Sequence, residues 1–410
     1  MDLLHLAWKN LWRNRRRTLI TMAALSCSLT LMHAFHNLAM GSYQQMIDSG
    51  VRAGSGHVAV YRGDYLHSRD EALTFPAAPV IVKADAIPTV REALPRVYLP
   101  ALAQSSRESR GILLMGIDPQ KEAAVNPYFK NLTAAQNLPS LTGREALMGE
   151  RLMKELKLGL GKKFVVTIQT RNGEIFSELF RIHAAIHTGL KQVDKGLIMV
   201  GWKRAAAMAG TPGQINELAL VLTAADDVAA VRDAMNRQLK DQPDLAAYGW
   251  DEAMPNMANA IKLDYTSQKF IFVIILLIVT IGVINTLLMS VMERMREFGI
   301  ILALGSGAGF LRRLVLTEGL ILGIISMLIG HIFGALVTWY LVDKGIDLRA
   351  WVSQDLEFGG VVFDPVLHAA WDLPWMFWIG WFMVGLTLLA SFYPAVKAAR
   401  IMPVEAIHQS

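Results

Sequence analysis

Three short features hold residues whose type and spacing could support phosphate, nucleotide or metal chemistry. Gly159-Leu160-Gly161-Lys162-Lys163 offers the glycines and lysine of a phosphate-cradling loop. It lacks the glycine spacing and the Ser or Thr hydroxyl that would hold magnesium, so it reads as a turn into a strand beginning near Phe164. Gly305-Ser306-Gly307-Ala308-Gly309-Phe310 has half the glycines of a dinucleotide fingerprint. It follows an apolar run instead of a strand, with Phe310 where the last glycine belongs, which leaves a loop. The 10 histidines include no His-Glu-x-x-His and no pairing with nearby carboxylates at metal-ligand spacing. Cys27 is the only cysteine, which rules out a disulfide or a cysteine metal site within one chain. No catalytic residue and no metal ligand is assigned, and the enzyme class is set aside.

Other ionisable side chains matter because of where they fall. Glu318 and His331 lie inside an otherwise uncharged apolar run, where charge is costly and marks either function or a partner. Glu318 is expected to snorkel or to pair with Arg312, Arg313 or the N-terminal arginines. His331 is expected to stay neutral and hydrogen-bond across helices. His33 and His36, near the end of another apolar run, read as packing residues. Gly319, Gly323, Gly330 and Gly334 recur along the same run as Glu318, the last pair as Gly-x-x-x-Gly. That spacing calls for a close helix contact, within the chain or between two chains.

The elements that carry these residues follow from hydropathy. With 410 residues, 53% of them hydrophobic, and a mean hydropathy of +0.33, the chain falls in the membrane class. The net charge of +5 does not point to nucleic acid, because the basic residues flank apolar runs instead of forming a stripe with interleaved aromatics. Four runs are long enough to cross a core about 30 Å thick, and they predict transmembrane segments at 18–40, 267–292, 314–342 and 374–396. The first is an uncleaved anchor, its apolar core being longer than that of a signal peptide. Trp375, Trp378 and Trp381 suit an interfacial belt.

Lys and Arg in short loops set the orientation. Basic residues dominate 1–17, 293–313 and the tail 397–410, which are therefore expected to be cytoplasmic. The loop 343–373 carries Asp343, Asp347, Asp355, Glu357, Asp364 and Asp372 against Lys344 and Arg349, and belongs outside.

Residues 41–266 form the soluble part, one domain or two small subdomains. His57–Tyr61, Phe164–Ile168 and Leu218–Leu222 read as strands. Gly149–Leu158 and Ala225–Leu239 read as amphipathic helices, the latter with Asp226 and Asp227 at its start. Pro255 predicts a break on the way back to the membrane. The fold class is thus a membrane α-helical protein of four transmembrane helices with a large inserted α+β periplasmic domain.

The string Glu293-Arg294-Met295-Arg296-Glu297-Phe298-Gly299-Ile300-Ile301-Leu302-Ala303-Leu304-Gly305 resembles the coupling loop of the MacB/LolC/LolE/FtsX family of ABC-transporter permeases. Leu316–Gly323, Tyr393–Ala395, Ala398–Ile407 and Asn10–Thr18 are similar to other stretches of that family. Leu302 departs from the arginine often found there, and Gly307-Ala308-Gly309 replaces basic residues.

The resemblance implies a permease subunit in the bacterial inner membrane, with both termini cytoplasmic, paired with a second permease, identical or related. Two copies of a separate ATPase would bind the ATP and Mg; no cofactor is expected in this chain. It also implies mechanotransmission, in which ATP binding draws the cytoplasmic ends together and the motion travels along long helices. Glu293, Arg294, Arg296 and Glu297 would then make polar contacts to the ATPase. Phe298, Ile301 and Leu304 would fill a groove, and Gly299 and Gly305 would belong to the same coupling segment. On this reading, charge reversal at Arg294, Arg296 or Glu297 uncouples ATP hydrolysis without unfolding. Gly56-His57-Val58 and Met115–Pro119 look like the LolC/LolE branch, which implies lipoprotein or lipid cargo and a periplasmic carrier. The alternatives are MacB-type efflux of drugs or peptides with an adaptor, and FtsX-like signalling to a cell-wall hydrolase.

Overall fold

The computed structural model describes residues 3–129, 132, 141–224, 227–350, 357–358, 361–362 and 366–400. It divides into two compact units. The first is built on four long apolar helices: TM1 (Arg15–Ala53), TM2 (Pro255–Glu293), TM3 (Ala308–Asp343) and TM4 (Leu373–Ala399). Each apolar run of the sequence lies inside one of them. TM1 and TM2 have 39 residues each. At about 1.5 Å per residue they are rods about 58 Å long, nearly twice the hydrocarbon thickness. The break expected at Pro255 is present: the short helix Trp250–Ala253 ends at Met254, and TM2 starts afresh at Pro255, the first helical position, where a missing N–H breaks no helical bond. TM4 is capped by Asp372, whose carboxylate accepts from Trp375 N at 3.0 Å, with a proline in the first turn.

The second unit is a mixed sheet with short helices packed on it, which gives the α+β class. Its strands are β1 (Val58–Arg62), β2 (Phe75–Pro76), β3 (Val90–Gln104), β4 (Ser109–Ile117), β5 (Glu145–Gly149) and β6 (Lys163–Gln169). They continue with β7 (Ile175–Ile186), β8 (Leu197–Gly201), β9 (Gln214–Ile215), β10 (Glu217–Leu222) and β11 (Leu245–Gly249). The order β11-β1-β10-β3-β4-β8-β5-β7-β6 closes on itself because β6 also pairs with β3. Only β4–β8 and β5–β7 are parallel among these pairs. β3 is long enough to serve both regions: Val90–Arg96 pair with β10, and Val97–Gln104 with β4.

Alternation explains the pairing. In β6, Phe164, Val166 and Ile168 point into the core, while in β10 every residue is buried, as befits a central strand. Gly161 has φ +73°, and Lys162 N donates to Gly159 O at 3.2 Å, so the glycine-lysine string is a turn into β6. The helix expected over Gly149–Leu158 is shorter, Glu150–Glu155. The other runs Val228–Gln238 with Asp227 as its N-cap; Ala225 and Asp226 lie outside the described residues.

The core of this unit contains an ionic cluster. Arg96 on β3 is fully buried; its Nε donates to Glu122 at 2.7 Å, and its Nη1 lies 3.3 Å from Glu217 and also donates to Gly54 O. Tyr61 and Tyr98 donate their hydroxyls to Glu217 at 2.6 and 3.1 Å. Burial pushes both phenols well up, and the Glu217 charge adds to the effect, so they remain protonated donors. Burial is the largest influence and works against the Arg96 charge, but Glu122, Tyr98 and Glu217 together outweigh it, and the guanidinium stays ionised.

Candidate coupling site

TM2 ends at Glu293, and a nine-residue linking helix, Met295–Ala303, leads towards TM3. Gly305, at φ +92°, lets the linking helix stop. Its N–H reaches Leu302 O and that of Ser306 reaches Ile301 O, at 3.0 and 3.2 Å, the paired bonds of a Schellman cap.

The linking helix has an inner and an outer face. Phe298 is fully buried, in a cluster with Ala7, Val291, Leu311, Leu314, Ala395 and Ala398, and Gly299 is buried beside it. Arg294 lies over the Phe298 ring at 4.7 Å and donates to Glu318 Oε1 at 2.9 Å. Asn10, on the N-terminal helix Leu3–Arg13, donates to the same oxygen at 2.7 Å. Glu318 is thereby neutralised by Arg294 and does not pair with Arg312 or Arg313. Those two precede it by six and five residues on the same helix and are exposed.

Two more carboxylates are occupied. Arg13 forks onto both oxygens of Glu297 at 2.6 and 2.7 Å, and Arg17 onto those of Glu293 at 2.8 and 2.5 Å. What remains outward is Arg296, Ile300 (47% exposed) and Leu304 (82% exposed), one stripe at i, i+4, i+8.

Several expectations are thus corrected. Arg294 and Phe298 are internal, the first a clamp on Glu318 and the second a core side chain, so neither is free to meet a partner. Glu293 and Glu297 are held from behind by N-terminal arginines. Arg296 and Leu304 face out as expected, and Ile300 joins them. Ile300 was legible, since it lies one turn from each, but the partners Asn10, Arg13 and Arg17 are some 276 to 308 residues away in sequence.

Within the helical unit the small residues of TM3 serve two neighbours. A methyl group on Gly319 or Gly323 would meet Ser391 or Thr387 of TM4; one on Gly330 or Gly334 would meet Leu29 or His33 of TM1. The Gly-x-x-x-Gly contact is therefore made inside the chain. It brings His33 Nε2 to 2.9 Å from His331 Nδ1, and His331 fits against Gly380. His36, one turn on, meets Asp372 at 3.0 Å and stacks on Trp375. Gly334→Val should push His33 aside, part TM1 from TM3 and lower stability by about 1–3 kcal/mol. Thermal unfolding of the purified chain in detergent measures this, and an unchanged midpoint would count against the packing.

Residues 269–403, from TM2 into the C-terminal tail, match the FtsX-like permease C-terminal family. The chain carries an FtsX-like permease domain. Across a longer stretch it is 25% identical over 335 residues to the lipoprotein-releasing system transmembrane protein LolE of Haemophilus influenzae, covering 78% of each chain. It is 23% identical over 411 residues to LolC of the same system in Xylella fastidiosa, covering 96% of this chain and 95% of that one. Its similarity to these LolC/LolE-type permeases runs through nearly the whole chain. The periplasmic region of MacB from Actinobacillus actinomycetemcomitans overlaps 49% of the permease and 92% of that chain at 12% identity, with a TM-score of 0.35, too distant to inform the site. Of the motif Ala398–Ile407, the residues from Ile401 onward lie outside the described ones.

Proposed function

We propose that this permease is the membrane subunit of a bacterial inner-membrane ABC transporter that extracts lipoprotein or lipid cargo on its periplasmic side, driven by a separate ATPase. The observation that carries the reading is the outer stripe Arg296-Ile300-Leu304. A cation and two exposed aliphatic side chains stand on a short helix braced from behind by three ion pairs, Arg13–Glu297, Arg17–Glu293 and Arg294–Glu318. An exposed apolar side chain rimmed by charge on a fixed element suits a protein partner. Two copies of the ATPase dock there, one on each of two permeases, and bind the ATP and Mg. With both termini cytoplasmic, closure of the ATPases moves the inner ends of TM1 and TM2, whose length makes them levers. LolC and LolE, by their names, belong to a lipoprotein-releasing system, which favours lipoprotein cargo handed to a periplasmic carrier.

The test is purification of the whole chain from native membranes, with copurifying proteins identified by mass. A Walker-motif ATPase together with lipoproteins is the expected result. An ATPase with a periplasmic adaptor and no lipoprotein would replace release by efflux, and the absence of any ATPase would overturn the reading. Leu304→Asp should weaken ATPase association about tenfold or more, since it removes an apolar anchor and buries a charge, with the thermal midpoint unchanged.

A further inference from the structure

Four segments of the sheet unit meet around a cleft of about 220 Å³: the stretch 71–74 before β2, the middle of β3, the turn between β6 and β7, and the loop from Ala209 to Asn216. Val97, Leu99 and Ala209 give it an apolar floor. Its walls are tied to one another. Asn216 donates from Nδ2 to Glu71 O at 3.1 Å and accepts from Tyr98 N at 3.0 Å, which pins the 71–74 stretch against β3. β2 and β9 pair beside it, Phe75 with Ile215, and Thr74 donates to Gln214. On the other wall Gly173, at φ +83°, lets the β6–β7 turn close. Its N–H donates to Thr170 O at 2.9 Å, and Arg171 N donates to Ala209 O at 3.2 Å.

Three polar groups of this braced cleft are left over. Thr170 lines it, and its hydroxyl is buried with no hydrogen-bond partner, an arrangement that costs free energy. Arg171 contributes a guanidinium and Glu71 a carboxylate, both exposed, and neither has a salt-bridge partner among the described residues. An acid and a base that share a cleft without pairing call for a ligand that carries both opposite charges. A simple anion would satisfy Arg171 and be repelled by Glu71, and a simple cation would meet the reverse. Size narrows the class further. The cleft is larger than an engineered cavity of about 150 Å³ that takes benzene and smaller than the range of about 300–1,000 Å³ that holds drug-sized ligands.

We infer that this cleft binds a small zwitterion with a short apolar skeleton, the chemistry of a free aliphatic amino acid or of a short peptide. The Arg171 guanidinium takes the ligand carboxylate, to which the Thr170 hydroxyl also donates, and the Glu71 carboxylate takes the ammonium. The aliphatic part lies on Val97 and Leu99. Occupation ties the 71–74 stretch to the β6–β7 turn, so the ligand stabilises the sheet unit by mass action. Binding here needs neither an ATPase nor a cargo, and it stands or falls apart from the transport reading.

The experiment is calorimetric titration of the purified full chain in detergent with L-leucine, the dipeptide glycyl-leucine, leucinamide and isocaproate. L-Leucine or the dipeptide should bind saturably, the tighter of the two identifying the source as free amino acid or peptide. Leucinamide and isocaproate, each lacking one charge, should bind about ten- to a hundredfold more weakly. Arg171→Gln should weaken the zwitterion by a similar factor but not leucinamide, and Glu71→Gln should weaken the zwitterion but not isocaproate. Thr170→Val should lower affinity about fivefold yet leave the ligand-free thermal midpoint equal or higher, because it removes an unpaired buried hydroxyl; a purely structural threonine would lower the midpoint. No saturable binding of either zwitterion, equal affinity for the singly charged analogues, or affinity indifferent to Arg171→Gln and Glu71→Gln each overturns the proposal.

Discussion

Arg294→Glu is expected to lower the unfolding free energy of the permease by about 3–5 kcal/mol, the range for breaking a buried ion pair by removing one partner. The substitution sets a new carboxylate against Glu318, which is itself almost wholly buried, and removes the cation over Phe298. Asn10 still donates to Glu318 but carries no charge to balance two acids. The double change Arg294→Glu with Glu318→Arg should recover part of the loss, because it restores a pair in the same place. Arg296→Glu, on the exposed stripe, should leave unfolding within about 0.5 kcal/mol of the parent while weakening any ATPase bound there. Denaturant unfolding in detergent for all three chains separates these outcomes. Equal stability of Arg294→Glu and Arg296→Glu would remove the distinction between clamp and docking surface.

The second large effect lies in the sheet unit. Arg96→Ala leaves Glu122 and Glu217 buried with no counter-charge and takes a donor from Gly54 O, so a loss of about 3–5 kcal/mol is again expected. The damage should come from the stranded charges more than from the missing contacts. Arg96→Met combined with Glu122→Gln and Glu217→Gln should therefore be less destabilising than Arg96→Ala alone, since the pair of acids is neutralised and the volume is kept. The same unfolding measurement decides it. If the triple variant is the weaker, the cluster contributes through its hydrogen-bond geometry, which Tyr61 and Tyr98 share, and not through charge balance.

The two sites were legible in the sequence to different degrees. Four apolar runs and a soluble insertion could be read directly because hydropathy over twenty residues depends on composition alone. The strands Val58–Arg62, Lys163–Gln169 and Glu217–Leu222 followed from local pattern, and so did the turn at Gly161. The length and composition of those segments are enough to select helix or strand, since the backbone must satisfy its own hydrogen bonds and bury its apolar side chains. Nothing in the sequence reading singled out Arg96: its partners Glu122 and Glu217 lie 26 and 121 residues away, the first on the helix Pro119–Val125 and the second brought opposite by the pairing of β3 with β10.

The linking helix shows where local reading stops. Periodicity places Arg294, Phe298, Ile301 and Leu302 on one side and Arg296, Ile300 and Leu304 on the other. It does not say which side is covered, because an amphipathic helix of this length has apolar residues on both. That was decided by TM3, TM4 and the N-terminal helix, which bury Phe298, and by that helix and TM1, which supply Asn10, Arg13 and Arg17. The small residues of TM3 are a parallel case: their spacing calls for a close neighbour, and only the packed bundle identifies TM1 for Gly330 and Gly334 and TM4 for Gly319 and Gly323. The sequence by itself determined the segments, their class and the places where a partner is required. The tertiary structure chose the partners, because burial and charge pairing depend on which distant surfaces meet.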